Sequence, residues 1–268
     1  MTAHRPRKRF GQHFLVDPGV VADIVAAIAP GPADTVVEIG PGPGAITVPL
    51  AARCRALHAV ELDRDLAARL RERFAGSPHV EVHEADALAF DFGRFGNGIR
   101  LAGNLPYNIS TPLLFHLLDF RTAIADMHFM LQKEVVDRMA AAPGGRTYGR
   151  LTVMLRCHLE IERLFDVDRQ AFDPPPAVTS SVVRLWPRPG GSLPVADERL
   201  LARLVAAGFA QRRKTLRNAL RNEVAADDFA AVGIDPGLRP EALPVDAWVA
   251  LANRLADPPV NRAADRQQ

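Results

Sequence analysis

Asn104-Leu105-Pro106-Tyr107 brings together an amide, a backbone carbonyl beside a proline and an aromatic ring. An exocyclic adenine amine is a poor nucleophile, because its lone pair is delocalised into the ring. The amide oxygen of Asn104 and the carbonyl of Leu105 can accept its two N–H bonds. That geometry aims the lone pair at an electrophilic methyl group for in-line displacement. Pro106 helps to fix the carbonyl, and Tyr107 offers a ring face on which a base can stack. Taken alone, the same residues also read as a plain Asn-x-Pro turn.

A second constellation lies upstream. Val36-Val37-Glu38-Ile39 runs into Gly40-Pro41-Gly42-Pro43-Gly44. A strand entering a glycine turn that opens a helix lets the backbone, at Gly40 and Gly42, approach a ligand closely and points N–H groups at it. Glu61 follows 21 residues after Gly40, where an acid takes the two hydroxyls of an adenosine ribose. Asp86 comes after the next strand and can accept from an adenine amino group. Together they describe a nucleoside-containing cofactor across the strand ends. Gly40, Gly42 and Ala45 also satisfy the looser dinucleotide pattern, so NAD stays open on the glycines alone. Pro41 and Pro43 remove donors that a pyrophosphate wants, and Glu38 suits the ammonium of a methionine moiety, so S-adenosylmethionine is the better match.

These residues need elements to hold them. Apolar β-branched runs at 35–39, 56–61, 80–83, 99–103 and 126–131 alternate with helical patterns at 20–29, 45–53, 64–74 and 111–118. That alternation predicts βαβ units and an α/β fold with a mostly parallel sheet. Runs at 159–165 and 180–186 can add an antiparallel edge. Residues 140–147 (AAAPGGRT) read as a mobile loop. The Pro/Gly break at 187–191 predicts a boundary between a large domain, residues 1–190 with a basic segment at 1–19, and a small helical one, residues 191–268. In the latter, helices are expected over 197–210, 213–222, 227–232 and 245–255, followed by a frayed tail.

The chain's 268 residues, with 33 Lys+Arg against 31 Asp+Glu, give a formal charge of only +2, but the charges are segregated. Arg5, Arg7, Lys8 and Arg9 form one acid-free run, and Arg212, Arg213, Lys214, Arg217 and Arg221 form another. The rest of the chain is net acidic. Two positive patches on an acidic body suggest a polyanionic partner met at defined places. The longest charge-free hydrophobic stretch, residues 101–118, holds two Asn and two Pro, which argues against a membrane span. No apolar run follows the basic start, so no secretory signal is expected. Two cysteines, Cys54 and Cys157, cannot build a disulfide framework and are expected reduced and buried in a cytoplasmic protein. The eight His look scattered, so no metal is expected, and nothing demands a dimer, so a monomer is expected.

The motif set resembles the KsgA/Dim family of ribosomal RNA adenine dimethyltransferases, in its bacterial KsgA branch. The matching segments are 9–15 (RFGQHFL), 37–42, Glu61-Leu62-Asp63, 104–112 (NLPYNISTP), 131–134 (LQKE), 148–151 (YGRL), 172–176 (FDPPP) and 211–218 (QRRKTLRN). The resemblance implies a Rossmann-like class I methyltransferase fold with a C-terminal helical domain. It implies S-adenosyl-L-methionine as cofactor and the small ribosomal subunit as partner, with N6,N6-dimethylation of two adjacent adenosines near the 3′ end of 16S rRNA. Carried over by position, His13 and Leu15 close over the cofactor, and Gly40, Glu61, Asp86 and Asn104 contact it. Leu62 and Ala87 flank its adenine. Asn104, Leu105 and Tyr107 hold the target base, and Phe172 stacks on its other face. Two rivals are an Erm-type methyltransferase of large-subunit rRNA, disfavoured by segments 131–134 and 211–218, and a non-catalytic ribosome-assembly or transcription factor, disfavoured by the intact motifs.

Overall fold

The computed structural model describes residues 12–256. Its centre is the strand β2 (Thr35–Ile39), of which all but the first residue is buried. A strand buried on both faces reads as a continuous apolar run, which is the pattern of TVVEI. β3 (Ala56–Glu61) and β4 (Val80–Glu84) lie on one side, and β5 (Ile99–Asn104) and β6 (Ile124–Gln132) on the other, all four contacts being parallel. The helices α1 (Pro18–Ile28), α2 (Thr47–Ala51), α3 (Arg64–Arg73) and α4 (Ser110–Leu118) lie along the chain between these strands or just before them.

The last two strands of the sheet add the expected antiparallel edge beyond β6. β9 (Ser180–Pro187) runs antiparallel to β6, and β7 (Leu159–Val167) lies beyond it, giving the order β4-β3-β2-β5-β6-β9-β7. A separate two-residue pairing joins β1 (Phe14–Leu15) to β8 (Phe172–Asp173). It anchors the start of the described chain beside the core that Leu15, Ile24, Val36, Ile46 and Phe172 share. α1 begins earlier than its hydrophobic pattern predicts, because Asp17 caps it by accepting from the N–H groups of Gly19 and Val20, with Pro18 in the first turn.

Sheet register sets the position of the chemistry. Arg100 makes a bidentate ion pair with Asp126 at 2.8 Å and a second with Asp34 at 2.9 Å, fixing one end of β5 against β6. The other end then brings Asn104 opposite Met130. At Gly103 a Cβ would collide with the Ile39 carbonyl oxygen, so only glycine lets β5 pass this close to the end of β2.

The chain divides into two compact units, but not by a single cut at 190. Among the described residues, one unit takes those up to Val136 with Glu160–Pro187. The other takes Asp137–Leu159 with those from Arg188 on. Residues 137–159 join the second unit for identifiable reasons. Tyr148 is fully buried and its hydroxyl donates to the Leu243 carbonyl at 2.8 Å, while Arg212 donates to the carbonyls of Arg146 and Tyr148. The segment expected as a mobile loop is thus partly tied down. This unit holds α6 (Arg150–Arg156), α7 (Glu198–Ala210), α8 (Leu216–Ala219), α9 (Ala226–Ala231) and α10 (Val245–Ala256), and α5 (Lys133–Met139) enters it from the first; α6, α7 and α9 contact α10, whose Trp248 is fully buried. Gly208 in α7 makes room for that ring: a Cβ there would come within 2.6 Å of it.

Candidate active site

The turn after β2 has Gly40, Gly42 and Gly44 at φ +68°, +56° and +94°, values at which any other L residue is strained. Gly42 also lies under Phe14, whose ring would meet an added Cβ at 3.3 Å. The Gly40 N–H donates to the Val60 carbonyl, which ties the turn to the end of β3. There Glu61 is 6% exposed, and its two oxygens accept from the N–H groups of Gly42 at 3.1 Å and Asp63 at 2.8 Å. Burial raises its pKa, while these bonds to the charged form pull the other way. The backbone therefore orients the carboxylate, and each oxygen keeps a lone pair for a ribose hydroxyl. Asp86, exposed, uses Oδ1 to accept from the Leu88 N–H at 2.9 Å.

Deeper in, Glu38 is 2% exposed and its Oε2 has no hydrogen-bond partner. Burial, with the nearby Glu61 charge adding to it, pushes its pKa up to about 8. A small cavity bounded by Glu38, Leu15, Gly40, Gly42, Ile46 and Asn104 opens onto it. A buried carboxyl with an unused oxygen fits a positively charged ammonium better than it fits a phosphate.

Asn104 stands where the glycine turn and the β5 end meet. Its Nδ2 donates to the His13 carbonyl at 3.0 Å. A carbonyl can only accept, so this contact fixes the amide's orientation and leaves Oδ1 as a free acceptor. Leu105 is 1% exposed and its N–H donates to Met130 at 3.1 Å. The turn's other hydrogen bonds go to the carbonyls of Pro106 and Tyr107, and among the described residues none goes to that of Leu105. Tyr107 is half-buried, burial raises its pKa, and its hydroxyl is 2.8 Å from Ser180 Oγ. The His13 ring lies 5.9 Å from the Tyr107 ring at an interplanar angle of 27°, and its Nδ1 donates to the Pro174 carbonyl. These groups line one cleft that is open to solvent at its mouth. Two acceptors for an amine, an aromatic face and the Glu61 carboxylate line the same cleft.

A model of ribosomal RNA adenine dimethylases matches residues 3–257. The chain belongs to the ribosomal RNA adenine dimethylase family. It is 58% identical to a protein of Thiobacillus denitrificans named ribosomal RNA small subunit methyltransferase A, over 94% of this chain and 99% of that one. A protein of the same name from Aromatoleum aromaticum is 57% identical, with 96% of each chain covered. Among solved structures, a dimethyladenosine transferase from Plasmodium falciparum superposes with a TM-score of 0.76 at 26% identity, covering 89% of this chain and 96% of that one. The 23S rRNA methyltransferase ErmE superposes with a TM-score of 0.72 at 28% identity, covering 91% and 100%. The class I methyltransferase fold and S-adenosylmethionine dependence follow, and NAD is set aside.

In this dimethylase the cleft gathers His13, Gly40, Gly42, Glu61, Leu62, Asp86, Ala87, Asn104, Leu105, Pro106 and Tyr107, as the sequence reading groups them. Leu62 is 51% exposed, a large apolar side chain left open at the rim. Three expectations need correction. Phe172 does not face the cleft; it is 3% exposed and packs in the core with Leu15, because β8 pairs with β1. Leu15 likewise points into that core and lines the small cavity beside Glu38. The helix expected over 213–222 shrinks to α8, with turns at 211–213 and 221–223, because Leu216 and Leu220 are fully buried anchors only one helical turn apart. Lys214, Arg217 and Arg221 therefore do not share a helix face, although all three stay exposed, as does Arg213. Arg212, also exposed, donates through one guanidinium nitrogen to the carbonyls of Arg146 and Tyr148. Arg5, Arg7, Lys8 and Arg9 lie outside the described residues. Two contributors escaped sequence reasoning. Gly103 shows only its contact to Ile39, and Ser180 its bond to Tyr107, once strands are paired.

Proposed function

We propose that this chain transfers methyl groups from S-adenosylmethionine to N6 of two adjacent adenosines in the 3′-terminal hairpin of 16S rRNA, on the small ribosomal subunit. The observation that carries the reading is Asn104, whose amide nitrogen is held by the His13 carbonyl so that its oxygen remains free to accept. When bound, the cofactor supplies an electrophilic methyl group on a sulfonium.

The chain's residues do the positioning. Glu61 holds the ribose, Asp86 with Leu62 and Ala87 holds the adenine, and Glu38 takes the ammonium. Gly40 and Gly42 let the backbone come close. Asn104 Oδ1 and the Leu105 carbonyl accept the N–H bonds of the target amine, and Pro106 limits the turn's movement. Holding both N–H bonds strips freedom from the amine and directs its lone pair along the displacement line. Tyr107, with its hydroxyl set by Ser180, supplies a stacking face for a base taken out of its own stack. Arg213, Lys214, Arg217 and Arg221, and outside the described residues Arg5, Arg7, Lys8 and Arg9, meet phosphates.

Among the described residues no helix is long and apolar enough to cross a membrane, and we read the chain as a cytoplasmic monomer. The test is to incubate it with labelled S-adenosylmethionine and small subunits that lack the modification, then map the label. Label on two neighbouring adenosines of 16S rRNA supports the reading; label only on large subunits overturns it in favour of the Erm-type activity.

A further inference from the structure

His58, Glu81 and His83 look scattered in the sequence, but strand register brings them together. β3 pairs with β4 so that His58 stands opposite Glu81 and Val60 opposite His83. Neighbours across a ladder, and residues two apart along a strand, share a face. All three side chains therefore project from the same side of the sheet, at its β4 edge. His58 Nδ1 is 3.3 Å from His83 Nε2 and 3.3 Å from Glu81 Oε2. One ligand atom from each residue lies within 4.8 Å of the other two. A tetrahedral zinc ion with bonds of about 2.0–2.1 Å to nitrogen and oxygen separates its ligands by about 3.3–3.4 Å. Two of the three sides already have that length.

The rings are held in place before any ion arrives. His58 and His83 are 17% and 10% exposed in their side chains. Phe95 stacks on His58 with centroids 4.1 Å apart, and Phe90 lies 5.5 Å from His83. A neutral imidazole can carry its proton on either ring nitrogen, so a tautomer shift turns the lone pairs of both facing nitrogens toward an ion. Glu81 is 61% exposed and opens the cluster to solvent, which leaves a route in and room for a water as fourth ligand. Two cations face the rings. Arg71 is paired with Glu84 at 3.4 Å, and Arg94 lies over Phe90 and Phe95. Arg94 weakens the attraction for a dication.

We propose that His58, His83 and Glu81 form a two-histidine, one-carboxylate site for a divalent ion of the zinc class. The ion clips edge strand β4 to β3. It takes no part in methyl transfer, but these are the two strands that lead into Glu61 and Asp86, so it stiffens the ribose and adenine side of the cleft.

The test uses the untagged full chain after dialysis against a chelator. Zinc is titrated by calorimetry and cobalt(II) by visible absorption, with thermal unfolding followed in parallel. Expected are one ion per chain, tetrahedral cobalt bands, and a Tm rise of about 5–10 °C at zinc a hundredfold above Kd. Glu81→Gln, at an exposed position where misfolding is not expected, should weaken binding at least tenfold. A His58→Asn/His83→Asn double variant should abolish it. Absence of saturable one-to-one binding overturns the site, as does wild-type affinity in Glu81→Gln and in the folded double variant. The two histidines would then be a hydrogen-bonded ring pair only.

Discussion

The cleft and the basic run after α7 present polar groups in opposite ways. In the cleft, the atoms assigned to the chemistry are held by backbone. Glu61 accepts from two N–H groups, Asn104 donates to a carbonyl, and Leu105 is pinned through its own N–H. In the run, Arg213, Lys214, Arg217 and Arg221 are exposed ends of long side chains on turns and a four-residue helix. None of the four makes a salt bridge among the described residues. A methyl transfer needs an amine placed to within a fraction of an ångström, so its ligands sit at strand ends. A phosphate contact tolerates a swinging cation, so it needs only charge in the right region.

Breaking the rigid side should produce the largest effects. Asn104→Ala removes the free acceptor and should cut kcat by about a hundredfold or more, as loss of one positioning contact does. Cofactor affinity should fall much less, since Glu61 and the glycine turn remain. Single-turnover rates beside calorimetric binding separate the two, and wild-type turnover would end the assigned role.

Phe172→Ala sharpens the boundary between cleft and core. A ring 3% exposed, shared between β8, β1 and the main core, should cost about 3–5 kcal/mol of stability when truncated. Methyl transfer per folded molecule should change little. A variant that keeps its Tm but loses use of RNA would return Phe172 to the target base.

Glu38→Gln tests how the cleft is tuned. Glu38 has a pKa pushed up to about 8 in the fold, against the ordinary carboxylate range in the unfolded chain. The folded state therefore binds the extra proton between those values, and the stability it gives is full at acid pH and lost as pH rises through about 8. Gln cannot ionise, so the variant should gain a few degrees of Tm over wild type at pH 8 and above, and none near pH 4. Cofactor affinity should drop about tenfold, because the ammonium loses its charged partner. Wild-type binding should release a proton near pH 7, visible as a dependence of calorimetric heat on buffer ionisation. A heat independent of buffer would mean that Glu38 stays neutral in the complex.

What was legible in the sequence follows the same divide. Gly40, Glu61, Asp86 and Asn104 sit at successive strand ends, and a parallel sheet brings its strand ends together whatever the intervening helices do. Spacing along the chain was therefore enough to group Gly40, Glu61 and Asp86, and the family resemblance added Asn104 to them. Phe172 was misplaced because FDPPP carries no sign that its first two residues pair with residues 14–15, far away in the chain. The helix over 213–222 failed for a related reason. Its period-3.6 pattern rests on Leu216 and Leu220, and burial of those two residues is satisfied by one turn of helix. The inclusion of 137–159 in the helical unit rests on contacts between residues far apart in the chain, Tyr148 with Leu243 across 95 residues and Arg212 with Arg146 and Tyr148, which local patterns do not encode.

The smallest expected effect belongs to the mobile side. Replacing Lys214, Arg217 and Arg221 by alanine removes three exposed charges and leaves the Leu216 and Leu220 anchors in place, so the fold should be kept. Each phosphate contact contributes about 0.7–0.9 to the slope of log K against log salt concentration. A shared helix face would have implied three simultaneous contacts and a slope flatter by about two units. With the residues on separate turns, not all three can reach one phosphate row, so a flattening of about one to two units is expected instead. Affinity for small subunits should weaken mainly at moderate salt, while cofactor affinity stays at the wild-type value. Equilibrium binding across a salt series gives the slope directly. An unchanged slope in the folded variant would make this run a solvated face and shift the phosphate contacts to Arg5, Arg7, Lys8 and Arg9.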